Sequence, residues 1–376
     1  MVERAASAGL AGTRGLRRYS RHLLIPEVGL AGQAKLAAAR MLCIGAGGLG
    51  SPALQYLAAA GVGRIGVMDD DCVDETNLQR QTLYATADIG KPKAQAAVDR
   101  LHAMNPSIAL DPIPVRFDAG NARALVALYD VVLDCTDRFE TRYLVSDACT
   151  LENKPDVYGS IFRFDGQVSV FWRERGPCYR CLFPQSPPRG SVPTCAEGGV
   201  LGVLAGIVGA LQASEALKLV LGIGDPLAGR LLLVDALGAR MREIAVSADP
   251  ECRACGERAT IVDVLPPEPD DEPEDPDEID ARDLDAALRD ARLIDVREPH
   301  EAVLGTLPGS LHLPASVFEA RMHELDSSQR YVVACRVGQK SMWAARRLRD
   351  AGFTRVRHLR GGLLAYAAQR SDFEFF

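Results

Sequence analysis

No stretch of this sequence stays apolar for the ~20 residues that a bilayer-spanning helix needs. The longest such run, residues 198–211 in EGGVLGVLAGIVGALQASE, reads instead as part of a buried helix. The first residues, MVERAASAGLAGTRGLRRYSRH, are basic but lack the apolar core of about 7–15 residues that marks a secretory signal. There is no basic stripe of the kind that binds nucleic acid, and no internal repeat. The expectation is a cytoplasmic protein with no membrane and no nucleic-acid partner.

What is present points to more than one folded unit. A chain of 376 residues, 47% of them hydrophobic, is long for a single domain. The net charge of −7 is local, because DVLPPEPDDEPEDPDEID (263–280) carries ten acids and no base. Without that segment the chain would carry +3. Acidic and proline-interrupted, it reads as an extended linker rather than a surface loop within one domain. The domains expected are therefore 1–262, the linker 263–280, and 281–376. Ten cysteines in an unexported chain are expected as reduced thiols, metal ligands or catalysts, not disulfides.

Upstream of the linker, strand-like and helix-like patterns alternate. An apolar strand at 40–45 is followed by the helix SPALQYLAAAG, the strand RIGVMD, the helix PKAQAAVDRLHAMN and the strand DVVLDC at 130–135. That alternation predicts a Rossmann-like α/β domain with a mostly parallel sheet. From residue 156 the pattern changes, and FRFDGQVSVFW and GRLLLVDALGARMREIAV read as antiparallel strands around a long apolar helix near 200–221. Beyond the linker, ARLIDVRE, YVVAC and RVRHLRGG predict a smaller α/β domain.

The loop Gly45-Ala46-Gly47-Gly48-Leu49-Gly50 follows the first strand and opens a helix, as in dinucleotide folds, with Asp69 a ribose partner at the next strand end. A hydride-transfer pattern is missing. Instead DETNLQRQTLY, GKPKAQ and DCTDRFETR bring Asn77, Gln79, Arg80, Lys93 and Asp137 to the ligand edge of the sheet. Two cations suit a triphosphate, and a carboxylate such as Asp137 suits Mg²⁺. ATP is favoured over NAD. The alternative is that Arg80 and Lys93 are ordinary surface cations.

RYSRHLLIPEVG, GAGGLGSP, NLQRQTLY, GKPKA and LDCTDRFETR, in that order, resemble the ubiquitin-activating-type adenylyltransferases of molybdopterin and thiamine biosynthesis, from about Arg18 to Gly256. The resemblance implies ATP–Mg²⁺ and adenylation of the C-terminal glycine of a small ubiquitin-like sulfur carrier ending in Gly-Gly. It assigns Gly48 and Asp69 to the nucleotide, with Asp69 at the ribose. Thr76, Asn77, Leu78, Gln79, Arg80 and Lys93 go to the phosphates, and Asp137 with Arg138 to the metal and α-phosphate. Arg21 would reach the γ-phosphate of a neighbouring subunit, which implies a homodimer. Arg138 stands where many members carry Asn.

PCYRC and ECRAC give two Cys-x-x-Cys pairs, Cys178 with Cys181 and Cys252 with Cys255. Together they suit a closed four-thiolate Zn²⁺ site; singly each could be a redox dithiol. Neither opens a helix after a strand as thioredoxin-type motifs do, and the adenylyltransferase resemblance also implies zinc. Cys195, in SVPTCAEGGV, sits in a loop before the long helix, where a thiol can be activated or incidental. The resemblance places there a cysteine able to attack an acyl-adenylate.

In YVVACRVGQKSMWAARRL a strand runs into Cys335, then a tight loop, then a helix near Ser341. Backbone N–H groups there stabilise an anionic sulfur, and Arg336 and Lys340 add positive charge. With LIDVREPHEAVLGTLPGSLHLP and HLRGGLLAY, this resembles single-domain rhodaneses over roughly Asp280 to Phe376. A phosphatase of related fold needs Arg six residues after the cysteine, and Ser341 stands there. Lys340 replaces a usual Arg, and Tyr366 a common Trp.

The expected function is a fused adenylyltransferase–sulfurtransferase in which Cys335 carries sulfur from thiosulfate or a cysteine desulfurase and the carrier becomes a thiocarboxylate. Rival readings are an activator passing a ubiquitin-like protein on through a Cys195 thioester, and a non-catalytic scaffold.

Overall fold

The computed structural model describes residues 13–187, 198–266, 277–370 and 373. It divides into two compact units, Met1–Pro267 and Glu268–Phe376. Cys195 and most of the acidic segment lie outside the described residues.

The first unit is built on an eight-stranded sheet. Its strands are β1 (Arg40–Ile44), β2 (Arg64–Met68), β3 (Ala109–Ile113), β4 (Val131–Asp134), β5 (Asp156–Phe162), β6 (Asp165–Phe171), β7 (Arg230–Asp235) and β8 (Arg240–Ala245). Their spatial order is β3-β2-β1-β4-β5-β6-β7-β8. Pairing is parallel from β3 to β5 and antiparallel from β5 to β8, as the change of pattern at 156 predicts. β4 is buried along its whole length and β1 after its first residue, as central parallel strands covered on both faces must be. β3 is absent from the sequence reading because ALDPI is part polar and contains Pro112. It lies at the sheet edge, where proline is tolerated.

The longer helices are α1 (Gly29–Ala38), α2 (Gly50–Ala60), α3 (Lys93–Met104), α4 (Phe139–Leu151) and α5 (Gly202–Leu221). At 20 residues, α5 exceeds the run 198–211 and is long and apolar enough, by those measures alone, to cross a membrane. It packs against α2, β5 and β6. Gln212, fully buried in its middle, donates to the backbone carbonyls of Asp134 (2.7 Å) and Val157 (2.9 Å). That amide bolts the helix across two strand ends, so α5 belongs to the core.

The second unit has five strands: β9 (Glu278–Ile279), β10 (Arg292–Asp295), β11 (Leu311–His312), β12 (Tyr331–Ala334) and β13 (Val356–Leu359). They pair in parallel in the order β11-β10-β12-β13-β9, with helices α6 (Gln339–Asp350) and α7 (Gly362–Ala367) near the C-terminal end of the chain. β9 falls inside the segment 263–280. At that segment's other end Val264 is buried in the first unit, and Asp263 pairs with Arg123. The expected linker is therefore folded at both ends. Its acidic average hid the two apolar residues, Val264 and Ile279, that anchor it.

Candidate functional site

β1 and β4 are neighbours at the point where strand order reverses, and open α/β sheets bind ligands in the crevice beyond such strand ends. A cavity of about 430 Å³ lies there. One wall is the turn from β1 into α2. Gly45 has φ +92°, and a Cβ on Gly50 would come within 2.1 Å of the Gly45 carbonyl oxygen, so this turn demands glycine at both places.

Gly48, Asp69, Asn77, Arg80, Lys93, Asp137 and Arg138, distant in sequence, all line this one cavity. Asp69 Oδ2 accepts the Ala46 N–H at 2.8 Å and Oδ1 the Asp71 N–H at 3.0 Å, so it ties the glycine turn to the next strand end. Burial pushes its carboxyl up, opposed by Lys93 and the two N–H groups. A carboxylate has further lone pairs for a ribose hydroxyl. Lys93, 6% exposed, donates to Asp71 Oδ2 at 2.9 Å. Arg80 lies against Gly48 and donates to the Thr76 carbonyl at 3.1 Å. The carboxylate of Asp137 is exposed and has no hydrogen-bond or ion-pair partner among the described residues. An oxygen donor so placed in a cavity lined by cations fits Mg²⁺.

Thr76, Leu78 and Gln79 do not line the cavity. The Thr76 N–H donates to Asp74 Oδ1 at 2.8 Å, Leu78 packs on the core, and the Gln79 carbonyl lies against Gly202. Arg21 is exposed on the one-turn helix Ser20–Leu23 and is also outside the lining. Cys195 cannot be placed.

Sequence reasoning missed Asp134, Asp156 and Arg142. Asp134 Oδ1 accepts the Thr136 N–H (3.0 Å) and hydroxyl (2.7 Å), which fixes the turn that presents Asp137. Asp134 Oδ2 and Asp156 Oδ1 are buried without partners, and burial pushes both carboxyls up. Arg142 closes the motif LDCTDRFETR and lines the cavity, so its signal was in the quoted residues.

The two Cys-x-x-Cys pairs meet. Cys178 Sγ lies 3.8 Å from Cys181 and 3.5 Å from Cys252, with Cys181 and Cys255 3.3 Å apart. All four sulfurs fall within 4.8 Å of one another. Tetrahedral Zn–S bonds of about 2.3 Å put sulfurs about 3.8 Å apart. The Asp249 N–H donates to Cys181 Sγ at 3.4 Å, an outer contact that orients a thiolate. The donor set fits Zn²⁺.

In the second unit Cys335 follows β12 and is 2% exposed. Its Sγ accepts the N–H groups of Gly338 (3.1 Å) and Ser341 (3.4 Å) and lies 3.6 Å from the Ser341 hydroxyl. This is the expected cradle, although α6 starts at Gln339, earlier than expected. Gly362 packs so tightly beneath the loop that a Cβ there would lie 2.4 Å from the Arg336 carbonyl. One expectation needs correction. Lys340 Nζ sits 2.7 Å from Glu301 Oε2, so only part of the expected positive charge faces a ligand. Burial pushes the Glu301 carboxyl up, but Lys340 pulls it further down. Tyr366 fills its place as a buried ring and donates to Asp285 at 2.6 Å.

A cation-lined cavity at the sheet's switch point and a sulfur cradled by backbone N–H groups define a two-headed enzyme, one part for nucleotide chemistry and one for sulfur. Residues 19–254 match the ThiF family and residues 280–369 the rhodanese-like domain. The chain belongs to the ThiF family, in the form that carries a rhodanese-like domain, and is an adenylyltransferase and sulfurtransferase. It is 44% identical over 365 residues to the probable adenylyltransferase/sulfurtransferase MoeZ of Mycobacterium tuberculosis, covering 94% of this chain and 93% of that one. It is 54% identical over 250 residues to the sulfur carrier protein adenylyltransferase of Thermus thermophilus, covering 65% and 92%. It is 40% identical to the adenylyltransferase and sulfurtransferase MOCS3 of Bos taurus, covering 94% and 86%. The first unit's fold is shared with the solved structure of E. coli MccB with AMPCPP and MccA, at a TM-score of 0.58 and 21% identity over 66% of this chain and 76% of that one.

Proposed function

We propose that the chain uses ATP–Mg²⁺ to adenylate the C-terminal glycine of a small ubiquitin-like sulfur carrier and then replaces AMP by sulfur from Cys335. The relatives named for sulfur-carrier adenylylation and for sulfur transfer support the two halves. The observation that carries their union is the Cys335 cradle on the same chain as the nucleotide cavity.

In the first step a carboxylate oxygen of the carrier forms a bond to the α-phosphorus, the bond to the bridging oxygen breaks, and pyrophosphate leaves. Arg80 and Lys93 balance the charge that builds on the phosphates, and Asp69 holds the ribose. Asp137 and Arg138 stand at the α-phosphate. Mg²⁺, held by Asp137, supplies further charge neutralisation when bound. In the second step a persulfide on Cys335 attacks the acyl carbon and AMP leaves, giving an acyl disulfide. A second thiol, Cys195 in this reading, attacks the Cys335 sulfur and releases the thiocarboxylate. The resulting disulfide is reduced by an external thiol. Thiosulfate or a cysteine desulfurase supplies the sulfur, in the reducing cytoplasm. Mass spectrometry of a carrier incubated with ATP and donor tests this: a carboxylate oxygen exchanged for sulfur is expected, and an unchanged carrier would overturn it.

The chain is proposed to work as a homodimer. Beside Arg21 the side chains of Leu24, Ile25 and Leu30 are exposed, and an apolar groove of about 300 Å³ runs along α5 beside Tyr56. A second copy covering this face would bury those groups and bring Arg21 to the neighbouring nucleotide.

The Cys178, Cys181, Cys252 and Cys255 cluster is proposed to hold structural Zn²⁺. Purified protein is expected to contain about one zinc per chain. Cys178→Ser is expected to lower metal content and to cost more than about 2 kcal/mol of stability, because structural zinc sites form together with the fold. Metal-free protein with unchanged melting would reject the site.

A further inference from the structure

Two arginines of the chain, the half-buried Arg180 and the buried Arg297, are ion-paired. Arg180 holds Asp147 through two hydrogen bonds of 2.6 and 2.8 Å, and Arg297 is buried against Asp295. Arg142 differs. It is 6% exposed, yet no carboxylate among the described residues lies within ion-pair distance of it. Its Nη2 donates to the Thr136 carbonyl (3.2 Å) and the Ser160 hydroxyl (3.0 Å), while its buried Nε has no partner. The rings of Phe139 and Tyr158 lie 5.2 and 5.6 Å from its Cζ. Burial disfavours this cation, but the carboxylates of Asp134 and Asp137, beyond ion-pair distance, favour it, so an anion in the cavity would be its first direct ionic partner.

Arg142 lines the nucleotide cavity too, but is held by other elements than Arg80 and Lys93. It touches β5 through Ser160, whereas Arg80 lies against the glycine turn after β1 and Lys93 against Asp71 beyond β2. It also bonds the carbonyl of Thr136, the residue before Asp137. Adenylation must bring a second anion, a carboxylate, against an anionic phosphate, which needs a cation at the carboxylate's own end. A planar guanidinium lining the cavity suits a carboxylate.

We infer that Arg142 binds the carrier's C-terminal carboxylate and holds it for attack on the α-phosphorus. This rests on the adenylation reading above and assigns the acceptor subsite within it.

The test uses the full chain, the ATP analogue AMPCPP, and a ubiquitin-like carrier ending in Gly-Gly, prepared with a free carboxylate and as its C-terminal amide. With AMPCPP present, the wild type is expected to bind the carboxylate form roughly ten-fold or more tightly than the amide, the range for a charge-assisted hydrogen bond. Arg142→Gln should bind both forms alike, at the amide's affinity, with AMPCPP affinity kept within about two-fold. A merely structural arginine would weaken all three ligands together. If Arg142→Gln fails to fold, Arg142→Lys carries the test, with the carboxylate preference reduced and the nucleotide unaffected. Undiminished preference in the folded variant overturns the assignment, as does a loss of AMPCPP equal to the loss of carrier. A wild type that shows no carrier-dependent ATP–pyrophosphate exchange would instead remove the adenylation reading, and this inference with it.

Discussion

Asp137→Ala is expected to lower carrier- and Mg²⁺-dependent ATP–pyrophosphate exchange by roughly 10²–10³-fold, the usual cost of removing one preorganised electrostatic group from a site of charge build-up. The fold should survive. Asp137 is exposed and unpartnered, so truncation should cost less than about 0.5 kcal/mol in melting. The turn itself is held by Asp134, whose carboxylate anchors Thr136, and that anchor remains in the variant. Exchange at the wild-type rate in Asp137→Ala would sink the assignment. So would tight NAD binding by the wild-type chain, since the glycine turn and Asp69 alone are compatible with a dinucleotide.

Much of the fold was legible because its determinants are local. MLCI and VVLD are apolar enough to be central strands, and both are. The change from alternating βα units to FRFDGQVSVFW at residue 156 marked the point where parallel pairing gives way to antiparallel. What failed to register were three of the four edge strands. β3, β9 and β11 lie at sheet margins, where two to five residues suffice and one carries a proline. Their stability comes from the neighbouring strand, and a sequence window does not contain it.

The sites divide in the same way. Sequence motifs named residues by type, such as Gly48, Lys93 and the four cysteines, and the fold brings Gly48 and Lys93 to one cavity and the cysteines to one cluster. Roles set by partners were not visible. Lys340 counts as positive until Glu301 is found 2.7 Å away. Arg142 looks like an ordinary helix residue until it proves to be a buried cation with no carboxylate at ion-pair distance among the described residues. Both facts depend on residues brought together only by the fold, and both concern net charge at a ligand's position.

Cys335→Ala is expected to leave ATP–pyrophosphate exchange near the wild-type rate and to abolish donor-dependent thiocarboxylate formation. Adenylation needs no thiol, because its nucleophile is the carrier carboxylate and its catalysis is electrostatic. Sulfur transfer needs a nucleophilic sulfur, and Cys335 Sγ receives two backbone N–H groups at 3.1 and 3.4 Å. Little else should change, since alanine keeps the backbone of the loop and Gly362 still packs beneath it. Cys195→Ala should impair only the sulfur assay, and dithiothreitol should restore it by resolving the acyl disulfide from outside. A chain cut between residues 267 and 276 should keep both half-reactions, yet couple them less efficiently, because the tether's effective concentration is gone. Thiocarboxylate made from thiosulfate at the wild-type rate by Cys335→Ala would make the second unit a binding module and remove the persulfide from the mechanism.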